Sequence, residues 1–180
     1  MLRTILTFGV IAGLIVIVPM GLMMTFGEFG HASHSMITGF AVMFLAFSLV
    51  FVGVKRRRDR ALGGVIRFLP ALLTGLGISV VASVIYVIGW EITLAATDYA
   101  FMADYSAAIL DAERARGASP EVLARKAAEL AKMAEDYSHP LYRLPITFVE
   151  IFPVGLIMSF VSAGLLRNSR FMPMKTVEPA

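Results

Sequence analysis

Hydrophobic residues in this chain form four long runs that carry almost no charge. The runs cover residues 4–26, 35–54, 68–94 and 146–166. A helix needs about 20 predominantly apolar residues to cross the hydrocarbon core of a bilayer. Each run therefore predicts one transmembrane helix, and the predicted fold class is an all-α membrane protein with four transmembrane helices.

The segment between the third and fourth runs has a helical pattern of its own. Ser119 followed by Pro120 is typical of a helix start, and Gly117 suits the end of a preceding helix. Apolar residues then recur at the spacing of a helix-packing stripe, and a matching face precedes them: Leu123, Ala127, Leu130, Ala134 and Tyr137, with Met102, Tyr105, Ile109 and Ala112. The pattern predicts an extramembrane helical hairpin over residues 98–138. Because no turn signal separates Leu94 from Phe101, the third span is expected to run straight into it.

Composition supports membrane insertion and limits the chemistry. Hydrophobic residues make up 58% of the chain, above the roughly 45–50% of soluble domains, and the mean hydropathy is +0.78. A chain of 180 residues accommodates one four-helix domain over residues 1–170 and no separate catalytic domain. The absence of cysteine excludes disulfides and thiolate chemistry. The first run is longer than a signal peptide core of about 7–15 residues, so an uncleaved helix is predicted.

Basic residues predict the orientation. The N-terminus, the segment between the second and third runs and the C-terminal tail together hold ten basic and two acidic residues, whereas the rest of the chain holds six basic and eleven acidic residues. The positive-inside rule then places both termini in the cytoplasm and the hairpin in the periplasm of a bacterial inner membrane. The tail over residues 171–180 is expected to be disordered. The basic pI of about 9.4 follows from this topology, and no nucleic-acid partner is predicted.

One basic cluster lies in the predicted loop after the second run. It contains Lys55, Arg56, Arg57, Arg58, Arg60 and Arg67. The simpler interpretation is that these residues determine the topology. The alternative is a binding site for anionic lipid, since each basic residue at a membrane surface gains about 1 kcal/mol from acidic headgroups.

Small residues recur every four positions in three of the runs. Such stripes allow membrane helices to approach closely. Contacts within the chain and contacts between copies of it both remain open for these residues: Gly9 and Gly13; Gly75, Ser79 and Ser83; Gly155, Ser159 and Ala163.

Two acids, Glu91 and Glu150, lie within the predicted spans, near the outer leaflet. Ionisable residues in a span usually face a bundle interior and find a partner. Three hypotheses follow. The first is a structural polar cluster with Trp90, Arg143, Tyr86, Tyr142 or a histidine; the second is a polar or proton-coupled cavity. The third is a metal site that adds Glu28, His31 and His34, but no ligand motif of fixed spacing is present, so no metal and no cofactor are predicted.

Three segments resemble a known family. They are residues 62–68 (LGGVIRF), residues 86–91 (YVIGWE), and residues 142–145 (YRLP) followed by 147–155 (TFVEIFPVG). In this order they resemble bacterial members of the domain-of-unknown-function family 4199, over residues 1–170. The resemblance implies an uncharacterised integral membrane protein and no activity.

The sequence thus predicts a multi-pass, non-enzymatic accessory, scaffold or lipid-interacting protein. Its expected partners are the lipid bilayer and either a membrane protein or a second copy of the chain. Two alternatives remain. One is a small transporter or channel component that uses Glu91 and Glu150. The other is a membrane-embedded enzyme with a Glu/His site on its outer face.

Overall fold

The computed structural model describes residues 1–26 and 36–174. In these ranges the chain forms helices and no strands; the helices are α1 (Leu2–Phe26), α2 (Met36–Ala61), α3 (Phe68–Ala96), α4 (Phe101–Ala115), α5 (Pro120–Ser138) and α6 (Pro140–Leu166). Helices α1, α3 and α6, together with Gly39–Ala61 of α2, are long and apolar enough to cross a membrane. The predicted all-α class and the four candidate spans are confirmed.

Helices α1 and α3 run parallel and pack through glycine. Four glycines, two on each helix, face branched side chains on the other helix: Ile5–Gly77, Gly9–Val81, Gly13–Ile85 and Ile17–Gly89. A Cβ atom added at Gly9 would lie 2.6 Å from the Cβ atom of Val81, which is too close for two carbon atoms. The predicted Gly9 and Gly13 stripe therefore makes a contact within the chain.

Helices α3 and α6 run antiparallel and pack through glycine and serine. Gly75 faces Ser159, and Gly155 faces Ser79. The Ser79 hydroxyl lies 3.0 Å from the Gly155 carbonyl oxygen and 3.1 Å from the Ser159 hydroxyl. One turn further along α3, the hydroxyl of Ser83 is buried and has no hydrogen-bond partner among the described residues. Both small-residue stripes are thus used inside the bundle.

The expectation that the third span continues into the insert is wrong. Helix α3 ends at Ala96, and the following Asp98 and Tyr99 adopt left-handed φ angles of 50° and 56°. The Tyr99 N–H donates to the Leu94 carbonyl at 2.8 Å and the Asp98 N–H donates to Ala95 at 3.4 Å. This is the helix-ending pattern in which glycine usually occupies the left-handed position, and aspartate is one of the few residues that tolerate it.

The turn between α4 and α5 agrees with the prediction. Gly117 has a φ of 78°, and the Ala118 N–H donates to the Glu113 carbonyl at 3.1 Å. The Ser119 hydroxyl accepts a hydrogen bond from the Val122 N–H, with Pro120 in the first turn of α5. The predicted end of one helix and start of the next are therefore confirmed.

The predicted packing faces of α4 and α5 are only partly correct. Leu130 is 3% exposed, but Ala127 on the same stripe is exposed, and so is Tyr105 on α4. Ser106 and Leu110 on α4 are half-buried, although the predicted face did not include them. Because α4 and α5 pack mainly against each other, they bury little apolar surface. The apolar stripe of this segment therefore does not form a continuous core.

The predicted loop over residues 55–60 is helical. Helix α2 continues to Ala61, and the turn before α3 is made by Gly63 and Gly64, whose φ angles are 63° and 89°. Lysine and arginine are strong helix formers, and they favour the C-terminal end of a helix, where the carbonyl dipoles point. The basic cluster is therefore mostly the last turns of α2.

The segment that follows α6 packs against the basic end of α2. The Arg58 side chain is fully buried, and its guanidinium donates to the carbonyl oxygens of Phe171 and Met172 at 2.9 and 2.5 Å. The Phe171 ring packs edge-on against Phe51, with centroids 6.3 Å apart. Residues 171–174, expected to be disordered, are thus placed against the bundle, while the predicted disorder of residues 175–180 lies outside the described residues.

Candidate functional site

The first polar group, near the end of α3 and the start of α6, is an ion pair between these two helices. Nε and one terminal nitrogen of Arg143 each lie 2.7 Å from a different carboxylate oxygen of Glu91. The Arg143 side chain is 5% exposed and that of Glu91 is 27% exposed. A two-point contact of this kind is stronger and more directional than a single charged hydrogen bond.

Arg143 also contacts the α3–α4 turn and the end of α5. Its remaining terminal nitrogen donates to the carbonyl oxygens of Tyr137 and Ser138, at 3.0 and 3.4 Å. The guanidinium carbon lies 5.5 Å from the ring centroid of Tyr99 and 5.7 Å from that of Tyr137. One arginine therefore holds the end of α3, the α3–α4 turn and the end of α5 together.

Trp90 and Tyr137 strengthen the same junction. The Trp90 indole N–H donates to the Tyr137 hydroxyl at 2.6 Å, and its ring meets Phe101 edge-on at 5.1 Å between centroids. Burial raises the pKa of Tyr137 above its usual value, so its hydroxyl stays neutral. The oxygen of this hydroxyl accepts the hydrogen bond from the indole N–H. A shallow cavity of about 370 Å³ lies beside the junction, lined by Tyr99, Tyr137 and Arg143 among others.

The second polar group contains Glu150. One Glu150 oxygen accepts a long hydrogen bond of 3.5 Å from the Tyr86 hydroxyl, which also lies 3.6 Å from the sulfur of Met20. Tyr86 is 1% exposed, whereas Glu150 lies at the surface of the bundle. Glu150 takes part in no ion pair with the described residues. A carboxylate within a membrane span is costly unless it is compensated, so Glu150 is a candidate functional residue.

Glu150 lines a cavity between α1, α2, α3 and α6, to which Phe101 at the start of α4 also contributes. The cavity has a volume of about 370 Å³ and is lined by Val16, Pro19, Met20, Met23, Met24, Gly39, Val42, Met43, Tyr86, Phe101 and Glu150. Of the lining residues that the structure describes, Tyr86 and Glu150 alone have polar side chains. Small-molecule sites are commonly clefts of about 300–1,000 Å³ with a mostly apolar lining and a few polar groups, which this cavity resembles.

The sequence-predicted site residues thus separate into two groups. Glu91, Trp90 and Arg143 belong to the structural junction, while Tyr86 and Glu150 belong to the cavity. Tyr142 is exposed and lines neither cavity.

Four methionines of the cavity were not predicted. Met20 and Met24 lie one turn apart on α1, with Met23 beside them, and Met43 faces them from α2. The density of methionine near the end of the first run was the available signal. That signal did not show which methionines share a cavity, because the facing helix is contributed by the next span.

The arginines at the opposite end differ in how accessible they are. Arg58 is buried, and Arg57 donates to the Pro70 carbonyl and to the Thr74 hydroxyl on α3. Lys55 pairs with Asp59 at 2.5 Å, and Asp59 also accepts from Arg58. The exposed members of the cluster are Arg56, Arg60 and Arg67. Any binding of anionic lipid would therefore depend on those three residues.

The candidate metal ligands of the sequence follow α1 in the chain. Glu28, His31 and His34 lie outside the described residues. Within the ranges that the structure describes, no group of three or more histidine, aspartate or glutamate side chains is arranged to hold a metal ion.

The arrangement of apolar and polar helices indicates the class of protein. Four apolar helices capable of spanning a bilayer, joined by a polar helical insert, indicate a multi-pass membrane protein in contact with lipid. Residues 7–168 match the family described as "Protein of unknown function (DUF4199)", and the chain belongs to that family. The resemblance noted in the sequence is confirmed. No curated protein and no solved structure matches the chain.

Proposed function

We propose that this protein is a non-enzymatic, lipid-interacting membrane protein that binds a lipophilic ligand in the cavity beside Glu150. The observation that carries the proposal is the lining itself. Of the eleven described residues that line it, nine are apolar and two, Tyr86 and Glu150, are polar. An apolar body would fill such a cavity, and a single polar head would be held at one end of it.

The methionines suit this role. A methionine side chain is flexible and polarisable, so it adapts to ligands of irregular shape. The neighbouring α1–α3 contact is built instead from glycine against isoleucine and valine, which have few rotamers and pack rigidly. The cavity is thus the adaptable part of an otherwise tightly packed bundle.

The proposed orientation follows the charge distribution. Both termini and the basic end of α2 would face the cytoplasm of a bacterial cell, and α4 and α5 would lie in the periplasm. The cavity, which is near the hairpin end, would then take its ligand from the outer leaflet.

A pair of glycine substitutions tests the proposal. A Cβ atom added at Gly39, which lines the cavity, meets no described heavy atom within 4 Å, and the same holds for Gly164 on α6, which does not line it. Leucine is also the better helix former, so neither change should disturb folding. Gly39→Leu should fill the cavity, and Gly164→Leu is the matched control.

The measurement uses Trp90, the sole tryptophan of the chain. Its ring contacts Phe101, which lines the cavity, so a brominated ligand bound there should quench its fluorescence. Titration of protein in phosphatidylcholine nanodiscs with bromododecanol should give saturable quenching for the wild type and for Gly164→Leu. Gly39→Leu should retain only the non-saturable quenching from the bilayer. Equal saturable quenching in both variants would refute the proposed site.

A further inference from the structure

We infer that the ligand of this cavity carries a protonated amine that pairs with Glu150, so the site selects a lipophilic cation. The inference rests on the proposed function and adds the chemical class of the ligand. It depends on the charge of the lining, on the partners of Glu150 and on the aromatic groups next to it.

Among the described residues, the lining contains one carboxylic acid and no basic residue. The basic residue nearest in sequence on α6 is Arg143, seven positions away, or about 10 Å along a helix. Arg143 is already paired with Glu91 through two nitrogens. Glu150 therefore has no counter-ion within the described protein, and a bound cation would supply one where the surrounding medium is poorly polarisable.

Hydrogen bonding at Glu150 is also incomplete. Its Oε2 accepts a long 3.5 Å contact from the Tyr86 hydroxyl, and its Oε1 accepts no hydrogen bond from any described residue. An ammonium group has three donors and no acceptor. It can donate to Oε1 and to the Tyr86 oxygen together, which a methyl or hydroxyl head cannot do.

Aromatic side chains near Glu150 also favour a cationic ligand. Tyr86 and Phe101 line the same cavity as Glu150. A cation near an aromatic face is attracted by its negative potential, most strongly where water is excluded. An anionic head, in contrast, would meet the Glu150 carboxylate, and no basic residue of the described lining would offset the repulsion. The expected order of affinity is alkyl amine, then alcohol, then carboxylate.

The test compares three probes that differ only in the head group: bromododecylamine, bromododecanol and bromododecanoate. Each is titrated into wild-type protein in neutral phosphatidylcholine nanodiscs at pH 7, where an alkyl amine is protonated. The saturable quenching of Trp90 is measured, with Gly39→Leu supplying the baseline for partition into the bilayer. We expect the amine to bind about tenfold more tightly than the alcohol, and the carboxylate more weakly than either.

Glu150→Gln isolates the charge, because glutamine keeps the size and an acceptor oxygen. The variant should bind the amine no more tightly than the alcohol, while its affinity for the alcohol stays within about twofold of the wild type. Retained alcohol binding also shows that the variant is folded. Glu129→Gln removes an exposed acid on α5 and should change nothing.

The outcomes separate the two proposals. Suppose that the alcohol binds saturably and that Gly39→Leu removes this binding. If the amine is then not preferred, or if its preference survives Glu150→Gln, the inferred head group is wrong and the cavity remains a lipophilic site. If none of the three probes binds saturably to the wild type, both proposals are overturned.

Discussion

Replacing Arg143 by methionine should release the end of α5 from α3 and α6. Methionine keeps an unbranched side chain of similar length but removes five donors. It leaves Glu91 without its ion-pair partner and the carbonyls of Tyr137 and Ser138 without a donor. The aromatic rings of Tyr99 and Tyr137 lose the guanidinium between them.

The magnitude follows from the burial of the pair. Breaking a buried ion pair by removing one partner costs about 3–5 kcal/mol, because the other charge is left desolvated. The Glu91 side chain is 27% exposed and can recover part of its hydration, so the lower limit applies. We expect Arg143→Met to lower the free energy of unfolding by about 3 kcal/mol. Glu91→Gln keeps one acceptor for Arg143 but leaves the more buried charge of the pair without a counter-ion, so it should also cost about 3 kcal/mol.

The assay is equilibrium unfolding in neutral mixed micelles, followed by Trp90 fluorescence and by circular dichroism. Trp90 donates to Tyr137 within the same junction, so its emission reports local release as well as global unfolding. Arg114→Met is the control. Arg114 pairs with Asp111 on α4 with side chains 60% and 71% exposed, and such surface pairs contribute about 0–1 kcal/mol.

Two results would refute this reasoning. One is an Arg143→Met variant that loses no more stability than Arg114→Met. The other is a double variant, Glu91→Gln with Arg143→Met, whose cost equals the sum of the two single costs, since residues in direct contact should show a coupling energy.

Three further predictions use the same unfolding assay or a fusion reporter. Ser83→Ala should raise the free energy of unfolding by about 1 kcal/mol, because the buried Ser83 hydroxyl has no described partner. Ser79→Ala should lower it by a similar amount, because the Ser79 hydroxyl loses its hydrogen bonds to α6. The same sign for both changes would contradict the packing described. Asp98→Gly should stabilise the protein by about 1 kcal/mol by relieving its left-handed φ, and destabilisation would show that the carboxylate has another role. A reporter active only in the periplasm should be active when fused near Gly117 and inactive near Arg58, and the reverse pattern would invert the proposed orientation.

Several elements were predictable from the sequence because they depend on local chemistry. Burying a helix in lipid requires a run of apolar residues, so the four candidate spans follow from hydropathy alone. The turn at Gly117 and the start of α5 at Ser119 follow from the φ angle that glycine permits and the hydroxyl that caps the helix. The end of α3 was missed because its left-handed residue is Asp98, where glycine would have been the recognisable signal.

The division of the polar residues was decided by tertiary structure alone. Glu91 and Glu150 look alike in the sequence, since both are acids within apolar helices near the same end of the bundle. Their environments differ because α6 brings Arg143 to Glu91 across a separation of 52 residues, whereas Glu150 accepts a hydrogen bond from only the Tyr86 hydroxyl among the described residues.

Membrane helices can be recognised one at a time, but a cavity exists only between them. Hydropathy places the methionines of α1 and α2 inside spans without indicating which side chains face each other, because a helix that is apolar on every side has no preferred face. Glycine contacts fix how α1 meets α3, and glycine–serine contacts fix how α3 meets α6. That packing turns Met20, Met43 and Glu150, which are far apart in the chain, into the wall of one cavity.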